Sequence, residues 1–122
     1  MSKAILIIED NDQNLYLMKF LLEKHGYEVA CAQSGLEGIR KAKELEPQAI
    51  LLDIQLPEMN GYTVARELRR ELKLAHTPII AVTSYAMTGD RELALAAGAS
   101  DYIEKPINPD TFVDQIRVHL TG

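Results

Sequence analysis

Acidic residues, a hydroxyl and a lysine each stand at the end of a short apolar run in this chain. Glu9-Asp10 follows Ala4-Ile-Leu-Ile-Ile8, Asp53 follows Ala49-Ile-Leu-Leu52, Thr83 follows Ile79-Ile-Ala-Val82, and Lys105 follows Tyr102-Ile103. If these runs are parallel strands of one sheet, all four ends open on the carboxyl edge, where ligands bind in open α/β sheets. Two carboxylates about 4 Å apart repel by up to about 4 kcal/mol at a surface-like effective dielectric, so Glu9, Asp10 and Asp53 together call for a cation. Oxygen-only donors favour a hard divalent ion. Mg2+ takes one or two carboxylates, keeps several waters and leaves room for a phosphate oxygen. In such a pocket the Asp53 carboxylate can attack phosphorus, as aspartate does in covalent phosphoryl transfer. The metal and the Lys105 ammonium would neutralise the phosphoryl oxygens, while the Thr83 hydroxyl donates a hydrogen bond to one of them. The added dianion would draw Thr83 and Lys105 inward. Singly, Asp10 or Asp12 reads as a helix cap, Thr83 as a strand end and Lys105 as a solvated charge; the joint placement carries the chemistry.

The elements that must position these residues alternate between strand-like and helix-like patterns five times, as in a parallel sheet covered on both faces. After Glu9-Asp10, Asn11 or Asp12 can cap a helix with Leu15, Met18, Leu21 and Leu22 on one face, ended by Gly26. Tyr27 to Ala32 reads as the second strand. Ser34-Gly-Leu-Glu37 fits a capping box for a helix running to about Leu45, and Pro47 closes that unit. Asn60 or Gly61 precedes a third helix with Val64, Ala65, Leu68 and Leu72 inward, and Pro78 begins the strand that leads to Thr83. Thr88 to Ala97 forms a fourth helix ended by Gly98, with a thin apolar stripe that suits a mobile or partner-facing element. Asn108-Pro109 reads as an N-cap and first-turn proline of a last helix facing inward through Phe112, Val113, Ile116 and Leu120.

With 122 residues, 47% of them apolar, the chain has the size of one domain that buries roughly two-thirds of its unfolded surface. A net charge of −5, without a Lys/Arg cluster, argues against nucleic acid as a partner. The lone Cys31 excludes an internal disulfide and a multi-cysteine metal site, and reads as a small hydrophobe. No apolar run approaches the length of a membrane span and the N-terminus lacks signal-peptide order, so the cytoplasm is the default location and no membrane is implied. His25, His76 and His119 show no metal-ligand spacing. Tyr16 and Tyr62 carry no chemistry that the sequence supports, and Met59 reads as packing beneath the loop shaped by Pro57 and Gly61.

Ile8-Glu-Asp-Asn11, Leu52-Asp-Ile-Gln-Leu-Pro-Glu-Met-Asn-Gly61, Ala81-Val-Thr-Ser84 and Tyr102-Ile-Glu-Lys-Pro106, in this order, resemble the receiver domain of two-component response regulators. The resemblance spans essentially the whole chain. Single-domain regulators of the DivK type are especially similar, through Asp53-Ile-Gln-Leu-Pro57 and Ala86-Met87. It implies a flavodoxin-like (βα)5 three-layer sandwich with a parallel five-stranded sheet of order 2-1-3-4-5, and residues 1–122 as one receiver domain with no effector domain. It also implies phosphoryl transfer to Asp53 from the phosphohistidine of a histidine kinase or histidine phosphotransfer protein. Asp10, Asp53 and the Gln55 backbone carbonyl would hold Mg2+, with Glu9 acting through water; Glu9 replaces an aspartate common at its position. Thr83 and Tyr102 match the pair that switches on phosphorylation, and Lys105-Pro106 matches a cis peptide bond. Gln55 and Tyr85 match positions flanking the phosphoryl group, and a Tyr85 ring shielding the acyl phosphate is expected to lose that effect in Tyr85→Ala. The signal would leave through the fourth helix, the Tyr102 strand and the last helix to a downstream target protein.

Two other classes share part of this pattern. An Asp-dependent phosphatase of the haloacid dehalogenase kind also uses a strand-end aspartate with Mg2+, but usually has a second acid where this chain has Gln55, and it needs a cap segment. A flavodoxin shares the fold, but Glu9-Asp10-Asn11 puts negative charge where a phosphate loop should lie and the chain has no tryptophan.

Overall fold

The computed structural model describes residues 3–84 and 90–120. Five strands, β1 (Ile5–Ile8), β2 (Val29–Ala32), β3 (Ala49–Asp53), β4 (Ile79–Thr83) and β5 (Asp101–Glu104), alternate with five helices. The helices are α1 (Asp12–Lys24), α2 (Gly35–Leu45), α3 (Gly61–Arg70), α4 (Asp90–Ala96) and α5 (Phe112–Arg117). All strand pairs are parallel and the order is β2-β1-β3-β4-β5. The implied topology is therefore the observed one. Both faces of the sheet are covered. Ile5, Ile7, Leu51, Ile80 and Val82 pack with α1 and α5 side chains such as Met18, Leu22, Phe112 and Ile116. Leu6, Ile8, Ile50 and Leu52 pack with α2 and α3 side chains such as Ala42, Val64 and Leu68. The alternation of side chains along a strand produces these two cores.

Helix ends follow the local sequence in most places. Asn11 caps α1, its side chain accepting from the Asn14 N–H, while Asp12 accepts from Gln33 Nε2 instead. Ser34 caps α2 by accepting from Glu37 N–H, and Glu37 Oε1 accepts from the backbone of Gln33, one residue earlier than the usual box. Asn60 caps α3. Gly26 and Gly98 have φ of +90° and +114°, as helix-ending glycines require. Gly38 lets α2 lie close on the sheet, since a Cβ there would meet the Ile8 side chain.

Three expectations need correction. Leu72 does not face inward: α3 ends at Arg70, Glu71 is extended, and a 3-10 turn over Leu72–Leu74 buries Leu74 while Leu72 is 89% exposed. Asn108 does not cap the last helix. It organises a turn through Pro109-Asp110, accepting from the Asp110 N–H, and α5 begins at Phe112 after Thr111. The second strand is shorter than Tyr27 to Ala32 because pairing with β1 begins at the Glu28 carbonyl. The fourth helix is observed from Asp90 to Ala96; Thr88, at its expected start, lies outside the described residues. No helix among the described residues is long and apolar enough to cross a membrane.

Candidate phosphoacceptor site

Strand register brings the chemistry together. Ile8, Leu52, Ala81 and Tyr102 form one row across the sheet through direct pairing of β1 with β3, β3 with β4 and β4 with β5. Glu9 and Asp53 follow that row by one residue, Thr83 by two and Lys105 by three. Glu9, Asp53 and Thr83 are all buried, at 0%, 3% and 0% exposure, which polar side chains tolerate only with partners. Lys105 supplies one: its Nζ lies 2.8 Å from Glu9 Oε1 and 3.5 Å from Asp53 Oδ1. Asp53 Oδ1 also accepts from the Gln55 N–H at 2.9 Å, and Glu9 Oε2 from the Asn11 N–H at 3.2 Å. Lys105-Pro106 is cis, as the resemblance implied.

One carboxylate oxygen from each of Glu9, Asp10 and Asp53 lies within 4.8 Å of the other two. One ammonium faces three carboxyl groups, so the pocket keeps an excess of negative charge. Burial, reinforced by Asp53 and partly opposed by Lys105, raises the Glu9 pKa from 4.5 to about 7. Although Glu9 Oε1 is in close charge contact with Lys105, it receives no aligned hydrogen bond among the described residues. An all-oxygen donor set, surplus charge and a buried oxygen lacking a directed donor fit a hard divalent cation.

The loop after β3 is built around Gly61, whose N–H donates to the Ile54 carbonyl at 2.9 Å. A Cβ at Gly61 would meet the Ile54 Cα and lie 2.7 Å from the Asp53 carbonyl oxygen, both backbone atoms that cannot swing aside. Gly61→Ala is therefore expected to lower unfolding free energy by about 2 kcal/mol and to slow covalent labelling of Asp53, checked by denaturant unfolding and labelling rates. Wild-type values for both would contradict this packing account.

Of the site residues expected from the sequence, Glu9, Asp10, Asp53, Gln55, Thr83 and Lys105 lie at the carboxyl edge. Tyr102 starts farther back on β5, paired with Ala81 and so on the same sheet face as Thr83. Its half-buried ring packs in a cluster with Ile54, Ala81, Ala94 and Tyr62, which gives Tyr62 a packing role. Tyr85, Ala86 and Met87 lie outside the described residues.

Three sets of contacts had no recognisable signal in the sequence. Ser84 donates to Gln55 Oε1 from its backbone N–H at 3.2 Å and its hydroxyl at 2.6 Å. Arg69 ties α3 to the chain before β4 and after α4, donating to the carbonyls of Gly98, Leu74 and Thr77 and to Ser100 Oγ. His119 Nε2 lies 2.7 Å from Asp101 Oδ2, joining the end of α5 to the start of β5. Each contact spans elements whose meeting no local pattern announces.

The response regulator receiver domain family profile matches residues 5–117. The chain is 43% identical over 120 residues to the polar-differentiation response regulator DivK of Brucella ovis, covering 98% of both chains, and 42% identical to that of Brucella anthropi over the same share. A CheY-like response regulator receiver domain protein of Methanospirillum hungatei has a TM-score of 0.89 and 34% identity, with 97% of this chain and 93% of that one covered. The receiver domain of a sensor histidine kinase from Pseudomonas aeruginosa, with a magnesium ion coordinated in its active-site cleft, has a TM-score of 0.85 and 35% identity, with 98% and 95% covered. Neither the phosphatase nor the flavodoxin reading gains support from these relatives.

Proposed function

Because this chain belongs to the response regulator receiver domain family, we propose that Asp53 is the residue through which it works. The chain is a phosphoacceptor signalling switch, and receiver domains exchange signals with histidine kinases and downstream effectors. The observation that carries the assignment is Asp53 at the end of β3, with Lys105 Nζ 3.5 Å from Oδ1 and two further acids beside it. A carboxylate oxygen of Asp53 attacks the phosphorus of a phosphohistidine. The phosphorus–nitrogen bond breaks, and the imidazole leaves with the electron pair and takes up a proton.

Lys105 stabilises charge on the phosphoryl oxygens, and Thr83, one residue beyond the level of Asp53 on the neighbouring strand, donates its hydroxyl to one of them. Asp10, Asp53 and the Gln55 carbonyl would hold Mg2+, with Glu9 acting through water; the ion supplies charge neutralisation at the phosphoryl oxygens. Promotion of its own phosphorylation and dephosphorylation follows from the same charges and donors, without a separate substrate site.

The output surface is α4, β5 and α5. Tyr102 packs against Ala94 of α4, so a shift of Thr83 toward the phosphoryl group is felt there through their shared sheet face. Leu93 on α4 is 56% exposed, and Val118, next to α5, is 77% exposed, giving that surface apolar contacts for a target protein. The phosphoryl donor is a histidine kinase or a histidine phosphotransfer protein.

The direct test is incubation with acetyl phosphate and Mg2+, followed by intact mass and peptide mapping. One phosphoryl group on Asp53 is expected, with none formed after chelation. Labelling elsewhere, or labelling that chelation leaves intact, would contradict the assignment.

A further inference from the structure

Gln55 is anchored at both ends beside the proposed phosphoacceptor. Its backbone N–H donates to Asp53 Oδ1 at 2.9 Å, and its side-chain oxygen receives the Ser84 N–H at 3.2 Å and the Ser84 hydroxyl at 2.6 Å. A backbone N–H can only donate, so the amide oxygen, and not its nitrogen, faces Ser84. Two donors occupy the two lone pairs of that oxygen. The Gln55 side-chain amide is thereby left with donor capacity alone.

Hydrolysis of an aspartyl phosphate needs the opposite. Water attacks phosphorus, the bond to the Asp53 oxygen breaks, the carboxylate leaves with the electron pair, and the proton of the attacking water passes to an acceptor or to solvent. An acceptor that orients the water and takes its hydrogen bond accelerates this step. Glu9 Oε2 accepts from the Asn11 N–H, and Oε1 lies in charge contact with Lys105 Nζ at 2.8 Å. We infer that Ser84 is a positioning residue that prolongs the acyl phosphate by keeping Gln55 Oε1 bonded to itself, so that the amide beside Asp53 cannot accept from hydrolytic water. This rests on the reading of Asp53 as phosphoacceptor.

The test follows loss of the phosphoryl mass after loading with acetyl phosphate and Mg2+ and rapid removal of the donor. Ser84→Ala is expected to shorten the lifetime about fivefold, the rate equivalent of one ordinary hydrogen bond. Ser84→Thr, which keeps both donors, retains the wild-type lifetime. Gln55→Leu, which has no acceptor, is not shortened, and adding Ser84→Ala to it changes nothing further. An unchanged lifetime in Ser84→Ala, or the same acceleration in the Gln55→Leu background, overturns the inference, as does a Ser84→Ala protein that loads slowly but loses its label at the wild-type rate. Failure of the wild type to load on Asp53 would instead overturn the functional reading.

Discussion

Asp53→Asn is expected to eliminate covalent phosphoryl uptake from acetyl phosphate altogether, while leaving the fold as stable as before. The amide is nearly the same shape as the carboxylate and its oxygen can still accept from the Gln55 N–H, now 2.9 Å from Oδ1. What disappears is the proposed anionic nucleophile, and a neutral amide oxygen does not replace it in attack on phosphorus. Loss of one charge also relieves Glu9, whose protonation Asp53 favours. The variant should therefore unfold at the same temperature as wild type or slightly above it. Intact mass after prolonged incubation measures the first effect and thermal unfolding the second. Stoichiometric label on the variant would remove Asp53 from the mechanism. Loss of label accompanied by a collapse in stability would show only that the pocket needs its charge to fold.

The second large effect is on the pH dependence of the metal-free protein. Burial raises the Glu9 pKa from 4.5 to about 7. Below 4.5 the group is protonated whether the chain is folded or not, and contributes no slope. Between 4.5 and about 7 the unfolded chain releases the proton while the folded chain keeps it, so stability falls as pH rises. Above about 7 both forms are ionised and the loss is complete. Each pH unit in that window is worth about 1.4 kcal/mol, giving a total of about 3 kcal/mol. Glu9→Gln should flatten the curve, and added Mg2+ should raise stability most at pH 8, where the unneutralised charge is greatest.

Asp101 does not blur this window. Burial works to raise its pKa, but the hydrogen bonds from His119 and the Tyr102 N–H outweigh it and hold the group below its ordinary 3.8. Its contribution is present above 3.8 and is lost as pH falls through its lowered folded value. Denaturant unfolding at pH 5 and pH 8 in the presence of a chelator gives the comparison for wild type and Glu9→Gln. Equal slopes in the two proteins would mean that Glu9 is not the group responsible.

Much of the fold was legible because its cues are local. Asn11, Ser34 and Asn60 each cap the helix that their side-chain chemistry suits. The apolar runs became strands at the expected places, and their ends carry the site. The misreadings lie where two local patterns compete. Leu72 continues the 3.6-residue period of α3, yet Leu74 is the residue buried. Arg69 holds the carbonyls of Leu74 and Thr77, and so turns the chain out of the helix before Leu72 can face the core. Asn108-Pro109 has the composition of a helix start, but the same Asn side chain satisfies a turn at Asp110 equally well.

By itself, the sequence determined which groups stand at the strand ends: the acids Glu9, Asp10 and Asp53, the hydroxyl of Thr83 and the amine of Lys105, each placed by an unmistakable apolar run. Only the tertiary structure decided how those groups act on one another. Parallel register put Ile8, Leu52, Ala81 and Tyr102 in one row, and burial behind that row pushed the Glu9 pKa up. Contacts such as Ser84 to Gln55, 29 residues apart, arise only when separate strands align. Hydrogen bonds and desolvation act over a few ångströms of space whatever the separation along the chain, whereas capping and periodicity act along it; that is why the first had to be seen and the second could be read.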